Sequence, residues 1–321
     1  MRRTSFESLG WLVCGCLLWV CLSQVAQAEV KRYARFQADN VVAYGIVEKD
    51  QIRQINGDLF GEWTPGDQTY PLASVKLLVP VERPSQVLAL AGSYKSHLGA
   101  GNLVTTVITT TKVTTDAKTG QSTTDSKTTV ENEKPGEVPP KFQIPQVFFK
   151  TPSCLIADGE SIVIPSGTNE VHFEAELVIV MGRKAKNVGE AEARDCVFGV
   201  TCGNDVSARD WQKGDVQWWR AKGSDTFGPT GPYIVSGINY DDLLMRLRVN
   251  GKVLQEERTS QLIHNVAKTV SFISQHITLH PGDLIFTGTP GKTSAIKPGD
   301  TVEVEIEGIG KLTNKVVAAG G

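Results

Sequence analysis

Cysteine is scarce where it could organise a fold. Three of the six cysteines fall within the first 28 residues, and Cys154, Cys196 and Cys202 are all that follow. An odd number leaves at least one without an intramolecular partner. Cys196 and Cys202 sit six residues apart in what reads as one extended strand, so their α-carbons would be roughly 20 Å apart, beyond disulfide reach. A disulfide scaffold is thereby excluded. Histidine is equally sparse: the five are His97, His172, His264, His276 and His280, and the last three are scattered without the spacing of a zinc site. After residue 28 no apolar run approaches the roughly 20 residues that span a bilayer. Positive charge is not in excess either. With Arg2, Arg3 and Glu7 set aside, 31 basic side chains face 34 acidic ones, which argues against a nucleic-acid partner.

The first 28 residues stand apart. Arg2 and Arg3 precede an apolar stretch from Leu9 to Leu22, and Ala26-Gln27-Ala28 stands before Glu29. This pattern predicts a signal peptide over 1–28 and an exported chain, periplasmic or extracellular, with no membrane association after cleavage. An uncleaved anchor is the alternative, with an apolar core short for that role.

The remaining chain is rich in short apolar runs separated by turn residues. Residues 29–84 read as a small β-rich N-terminal domain, and 85–321 as the main domain with a threonine-rich insertion over 103–135. Strands are predicted at 161–165, 171–181, 197–202, 233–235, 247–249, 284–287 and 302–306. Apolar residues at 262, 263, 266, 270 and 273 predict a helix over 260–276. Pro281-Gly282-Asp283 and Pro298-Gly299-Asp300 read as tight turns feeding strands. In the insertion, valine and threonine flank Asp116-Ala117-Lys118-Thr119-Gly120, which suits a two-stranded arm. A low-complexity linker is the competing reading. The fold class is mainly β with a few helices, α+β.

Chemistry concentrates in Phe173-Glu174-Ala175-Glu176-Leu177. Side chains alternate along a strand, so Glu174 and Glu176 share one face while Phe173, Ala175 and Leu177 take the other. The apolar continuation to Met181 predicts a buried central strand, where two adjacent carboxylates repel unless a cation compensates. Asp205, closing the apolar run 198–203 just before a short helix that Ser207 is expected to open, can complete a triad. Three carboxylates without cysteine suit a hard cation, magnesium or its substitute manganese. Thr289-Pro290-Gly291-Lys292-Thr293 imitates the end of a phosphate-binding loop, but Phe286 stands where the leading glycine is required. Trp211, Trp218 and Trp219 suggest a stacking platform, although two of them suit the core.

With those residues in place the chain resembles the fumarylacetoacetate hydrolase family. The resemblance is carried by Glu174-Ala175-Glu176, by 204–210 (Asn-Asp-Val-Ser-Ala-Arg-Asp), by 220–227 (Arg-Ala-Lys-Gly-Ser-Asp-Thr-Phe), by Thr287-Gly288-Thr289-Pro290 and by the closing Pro298-Gly299-Asp300. It implies a mixed β-sandwich roll, a magnesium or manganese ion, a small carboxylic acid substrate and a homodimer. It assigns Glu174, Glu176 and Asp205 as metal ligands, Arg209, Gln212 and Thr289 as substrate contacts, and His97 and Lys222 as catalytic groups.

The leading expectation is hydrolysis of a carbon–carbon bond in a 2-oxo or 1,3-diketo acid of fumarylacetoacetate or acylpyruvate type. Decarboxylation, or isomerisation of a 2-hydroxymuconate-type acid, is the alternative, and a non-catalytic oxo-acid-binding protein is a third. The lid pattern separates them. Tyr94 and His97 match it, but Ser93 replaces an asparagine and Ala100 replaces the glutamate that would orient the histidine. Gly291-Lys292-Thr293 likewise stands where the family has a Gly-Val-Gly turn. Tautomerisation needs mainly an electron sink, whereas hydrolysis also needs an activated water.

Overall fold

The computed structural model describes residues 29–99, 106–115, 122–131 and 137–320. The signal peptide predicted over 1–28 and the lid position Ala100 lie outside them.

Among the described residues the largest sheet has twelve strands, and Ala175–Met181 is at its heart, buried at all seven positions. Its side chains alternate between two cores: Leu177, Ile179 and Met181 enter the larger, Val178 and Val180 the smaller. A strand apolar on both faces must be central. It pairs antiparallel with Val197–Asn204 on one side and with Leu284–Phe286 on the other. Beyond Leu284–Phe286 the sheet continues through parallel Val87–Ala91 to the edge strand Gln146–Lys150. In the other direction Gly228–Ser236 leads to a four-strand meander, Lys31–Ala38, Val41–Glu48, Gln51–Gly57 and Trp63–Pro71. The meander is hydrogen-bonded into the main sheet where Lys31 to Tyr33 pair with Ser236 to Ile234.

A second sheet of five strands runs in the order Ile162–Ile164, Gly310–Ala318, Thr301–Ile306, Leu244–Val249, Lys252–Arg258. Val302, Val304, Ile306, Leu312 and Leu247 from this sheet share the larger core with Leu177, Ile179 and Val200 of the first. Two sheets closing on one apolar layer give the mainly β architecture expected from the sequence, in the sandwich form that the family resemblance implies.

Three local expectations change. The helix begins at Val266 rather than 260, because Asn265 caps it by accepting from Lys268 N at 2.9 Å. Leu262 and Ile263 are instead tied to the segment before His97: Leu262 bridges Tyr94, and Ile263 N donates to Ser93 O at 2.8 Å. The strand over 171–181 is interrupted at Phe173 and Glu174, and its first part, Val171–His172, pairs with Ser207–Ala208. Ser207 therefore lies in a short strand instead of opening the helix Arg209–Gly214.

Other expectations hold. Asp283 anchors its turn by accepting from Ser85 Oγ (2.6 Å), Gln86 N (2.9 Å) and His280 N (2.8 Å). Asp300 does the same for Lys297 N at 2.9 Å. The threonine-rich arm is two-stranded: Thr106–Thr115 pairs antiparallel with Ser122–Glu131, from Thr106↔Glu131 to Thr115↔Ser122, as a sheet of its own. Cys154, Cys196 and Cys202 are buried and free, and Cys196 precedes the strand that holds Cys202.

Candidate active site and metal centre

The interruption at Phe173 and Glu174 builds the acidic site. Glu174 N donates to Asn204 Oδ1 at 2.8 Å, Ala175 N donates to Gln255 Oε1 at 3.1 Å, and Asp205 N donates to Glu174 O at 2.9 Å. These bonds replace the ladder and bring Glu174 next to Asp205 while Glu176 stays in the strand. One ligand oxygen from each of Glu174, Glu176 and Asp205 lies within 4.8 Å of the other two, and all three residues are buried. The sequence-predicted triad is thus assembled in space.

Cations surround it. Lys222, in the short helix Trp219–Gly223, places Nζ 2.6 Å from Glu174 Oε2 and 2.7 Å from Asp205 Oδ2. Arg209 Nη2 pairs with the other oxygen of Glu174. Lys150 Nζ lies 2.6 Å from Asp205 Oδ1 and also donates to the carbonyls of Lys222 and Phe227. Burial works to raise the Glu174 carboxyl, but the charges of Arg209 and Lys222 outweigh it and hold Glu174 well below the ordinary carboxylate range. Glu176 goes the other way. Burial and the neighbouring charges of Asp205 and Glu174 push its carboxyl well up.

Glu176 is also the incompletely satisfied member. Its Oε2 accepts from Gly288 N at 2.6 Å, whereas Oε1 is buried without a hydrogen-bond partner among the described residues. Gly288 is needed for this contact: φ is +95°, and a Cβ there would stand 2.5 Å from the Ser93 side chain. A divalent cation fits the three residues. It would give Glu176 Oε1 a partner, relieve the crowding of like charge, and find only oxygen ligands.

The predicted contact residues converge on the same place. A recess of about 60 Å³ is lined by Glu174, Lys222, Arg209, Gln212, Thr289 and His97, with Phe148 and Trp218 as apolar walls. It shares residues with a larger cavity of about 590 Å³, which adds Lys141, Phe142, His172, Lys213, Lys292 and Thr293. Trp218 meets Phe148 edge-on at 5.3 Å and so walls the site instead of packing the core, while Trp219 is exposed.

Two predicted residues have definite hydrogen-bond partners. Gln212 Oε1 accepts from Arg209 Nη1 at 2.7 Å, which leaves its amide nitrogen as the remaining donor. His97 Nδ1 lies 2.7 Å from Gly291 O. A carbonyl only accepts, so Nδ1 carries the proton and Nε2 is the basic nitrogen of the neutral ring. The orienting partner missing from the sequence is supplied by backbone.

Other contributors escaped sequence reasoning. Lys150 reads as an ordinary strand-end lysine, yet its side chain is fully buried against Asp205. Gln255 lies in a different sheet from the acidic strand and is joined to it only by folding. Thr293 accepts from Arg209 Nη2 at 2.9 Å and lies 2.9 Å from His172 Nδ1. The sequence signal for Thr293 was its place in the departing turn after Pro290.

This fold and centre define a class of enzymes built on a mixed β-sandwich with a three-carboxylate site. Residues 117–317 match the family Fumarylacetoacetate (FAA) hydrolase, C-terminal, and residues 31–80 match the family Rv2993c-like, N-terminal. The chain belongs to the fumarylacetoacetate hydrolase family. Protein Rv2993c of Mycobacterium tuberculosis is 41% identical over 271 residues, 84% of this chain and 88% of that one. The mitochondrial oxaloacetate tautomerase FAHD2A of Bos taurus is 32% identical over 259 residues, 77% of this chain and 71% of that one. Among solved structures, the 2-hydroxyhepta-2,4-diene-1,7-dioate isomerase from Mycobacterium marinum superposes with a TM-score of 0.73 at 37% identity, covering 91% of this chain and 100% of that chain. The maleylpyruvate hydrolase from Sphingobium sp. SYK-6, in complex with manganese(II) and pyruvate, gives 0.66 at 25% identity over 89% and 99%. Relatives thus include isomerases, hydrolases and a tautomerase.

Proposed function

We propose that the chain is an enzyme dependent on magnesium or manganese that shifts a proton on a small 2-oxo acid, an isomerase or tautomerase of a 2-oxo or 2-hydroxymuconate-type carboxylate. The observation that carries this is His97, a lone base with its tautomer set by the neutral Gly291 carbonyl, sharing a recess with Lys222 and Arg209. Relatives named tautomerase and isomerase, 32% and 37% identical, support the same reading.

Glu174, Glu176 and Asp205 would hold the divalent ion, which when bound supplies positive charge beside the substrate's 2-oxo and carboxylate oxygens. Arg209 and Lys222 keep Glu174 ionised and add cationic charge facing the developing enolate. The hydroxyl of Thr289 and the amide of Gln212 donate to the substrate carboxylate. His97 Nε2 accepts the proton from the carbon beside the oxo group and returns it to the enolate oxygen or to the far carbon of a conjugated system, so no atom is lost.

Hydrolytic carbon–carbon cleavage, the leading expectation from sequence, is retained as a second reading because the adjoining 590 Å³ cavity has room for a second product and a water. The deciding assay follows enol absorbance with oxaloacetate, an acylpyruvate and a hydroxymuconate-type acid, with manganese, with EDTA and with Glu176→Gln. Cation-dependent interconversion without cleavage supports the isomerase. Release of two acids makes it a hydrolase, and binding without turnover makes it the non-catalytic protein.

The reading includes export and self-association. Export rests on residues 1–28, and N-terminal sequencing of secreted protein would need to begin at Glu29. A homodimer is supported by Phe149 on the edge strand Gln146–Lys150 and by Val216 and Trp219, just before and at the start of the helix Trp219–Gly223 that packs against that strand, exposed at 60%, 96% and 65%. Light scattering at the monomer mass overturns it.

A further inference from the structure

Gln255 belongs to none of the motifs that mark the site, yet it touches three of its parts. It lies on Lys252–Arg258 of the second sheet with 4% of its surface exposed. Its Oε1 accepts from Ala175 N at 3.1 Å, and its Nε2 donates to Thr289 Oγ1 at 2.9 Å and to Pro290 O. A backbone N–H can only donate and a carbonyl can only accept, so the amide has one possible orientation.

Two consequences run from that orientation. Because Gln255 donates to Thr289 Oγ1, the hydroxyl proton is not spent on Gln255, and Thr289 lines the small recess. Pro290 is followed by Gly291, whose N donates to Ser96 Oγ at 3.1 Å and whose O accepts from His97 Nδ1 at 2.7 Å. The turn 289–291 is therefore clamped between Gln255 on one side and Ser96 and His97 on the other, with Gly291 in the left-handed region at φ +59°.

We propose that Gln255 is the positioning residue of the site: it presents the Thr289 hydroxyl as a donor to the substrate carboxylate and, through its bond to Pro290 O, holds the turn whose Gly291 carbonyl sets the tautomer of His97. The first half rests on the oxo-acid reading given above. The second half does not.

The test has two arms, both on the full chain. In the first, long-range proton–nitrogen spectra of ¹⁵N-histidine-labelled protein are recorded at about pH 8.5, some two units above an ordinary imidazole pKa. The His97 ring is assigned by its disappearance in His97→Gln. Wild type is expected to show a protonated Nδ1 and a bare Nε2. Gln255→Leu should lose that pattern, and Thr289→Val should keep it because the Pro290 contact survives. Retention of the pattern in Gln255→Leu overturns the proposal. If that variant fails to fold by circular dichroism, Gln255→Glu, which keeps an acceptor for Ala175 N and lacks the donor for Pro290 O, carries the same expectation.

The second arm measures pyruvate binding with saturating manganese. Gln255→Glu and Thr289→Val are each expected to weaken it about tenfold or more, the worth of a donor to a charged group, with manganese affinity itself within about twofold. The double variant should be no worse than either single one, since both remove the same donor. Additive losses overturn the Thr289 half. Failure of wild type to bind pyruvate counts against the oxo-acid reading, and the tautomer spectra then decide the remaining half alone.

Discussion

Lys150 Nζ stands 2.6 Å from Asp205 Oδ1 with both side chains fully excluded from solvent. Burial by itself would lower the Lys150 ammonium, and the Asp205 charge beside it reverses the balance and raises it. Truncating one member of such a pair leaves the other's charge short of a partner. Lys150→Met is expected to lower unfolding stability by about 3–5 kcal/mol. Urea denaturation with and without the substitution measures this, and a loss below about 1 kcal/mol would show that Lys222 alone satisfies Asp205.

The unpartnered Oε1 of Glu176 predicts that metal stabilises the fold. A ligand binding only the native state at a hundred times its Kd adds about 2.7 kcal/mol. Manganese should raise the Tm of wild type and EDTA should reverse the rise. Glu176→Gln is expected to abolish the shift while folding normally, since an amide relieves the crowding of negative charge around it.

His264 sets an acid limit. Its ring is buried with Nε2 3.0 Å from Phe142 O, and burial first, with the Lys268 charge as a smaller contribution, lowers its pKa from 6.5. A histidine whose folded pKa is depressed stays neutral when the unfolded chain has already bound a proton. Its contribution is complete above about pH 6.5 and is lost as pH falls from there toward the folded value. As pH falls below about 6.5, metal-free wild type should therefore lose more stability than His264→Gln. Parallel curves for the two would remove His264 from this role.

Lys141 and Lys292 line the larger cavity and are exposed, with no carboxylate partner found for either among the described residues. A substrate with a second carboxylate would meet them at its far end. Lys292→Ala is expected to raise KM for a dicarboxylic oxo acid about threefold to tenfold and leave a monocarboxylic one unchanged, with the difference fading at high salt. Equal effects on both substrates would argue against a distal carboxylate contact.

Much of the fold was legible because β structure writes itself as period-two alternation. Alternation from Phe173 to Leu177 placed Glu174 and Glu176 on one face, and the unbroken run to Met181 announced a strand buried on both sides. The turns at Asp283 and Asp300 were readable from proline and glycine, whose backbone preferences are local. The helix start was misplaced because Leu262 and Ile263 are apolar for a different reason: they pack and hydrogen-bond beside Ser93 and Tyr94, across some 170 residues of chain.

The site divides along the same line. Residue types and local order sufficed to nominate Glu174, Glu176, Asp205, Arg209, Gln212, Lys222, Thr289 and His97, since ligand chemistry and strand alternation are properties of short segments. Tertiary structure alone supplied what joins them: Lys150 beneath Asp205, Gln255 between Ala175 and Pro290, and the Gly291 carbonyl that replaces the orienting carboxylate for His97. Those contacts are between backbone and side chains far apart in the chain. Hydrogen bonds to backbone carry almost no residue-type signature, because every residue has a carbonyl, so only the folded chain decides which one is used.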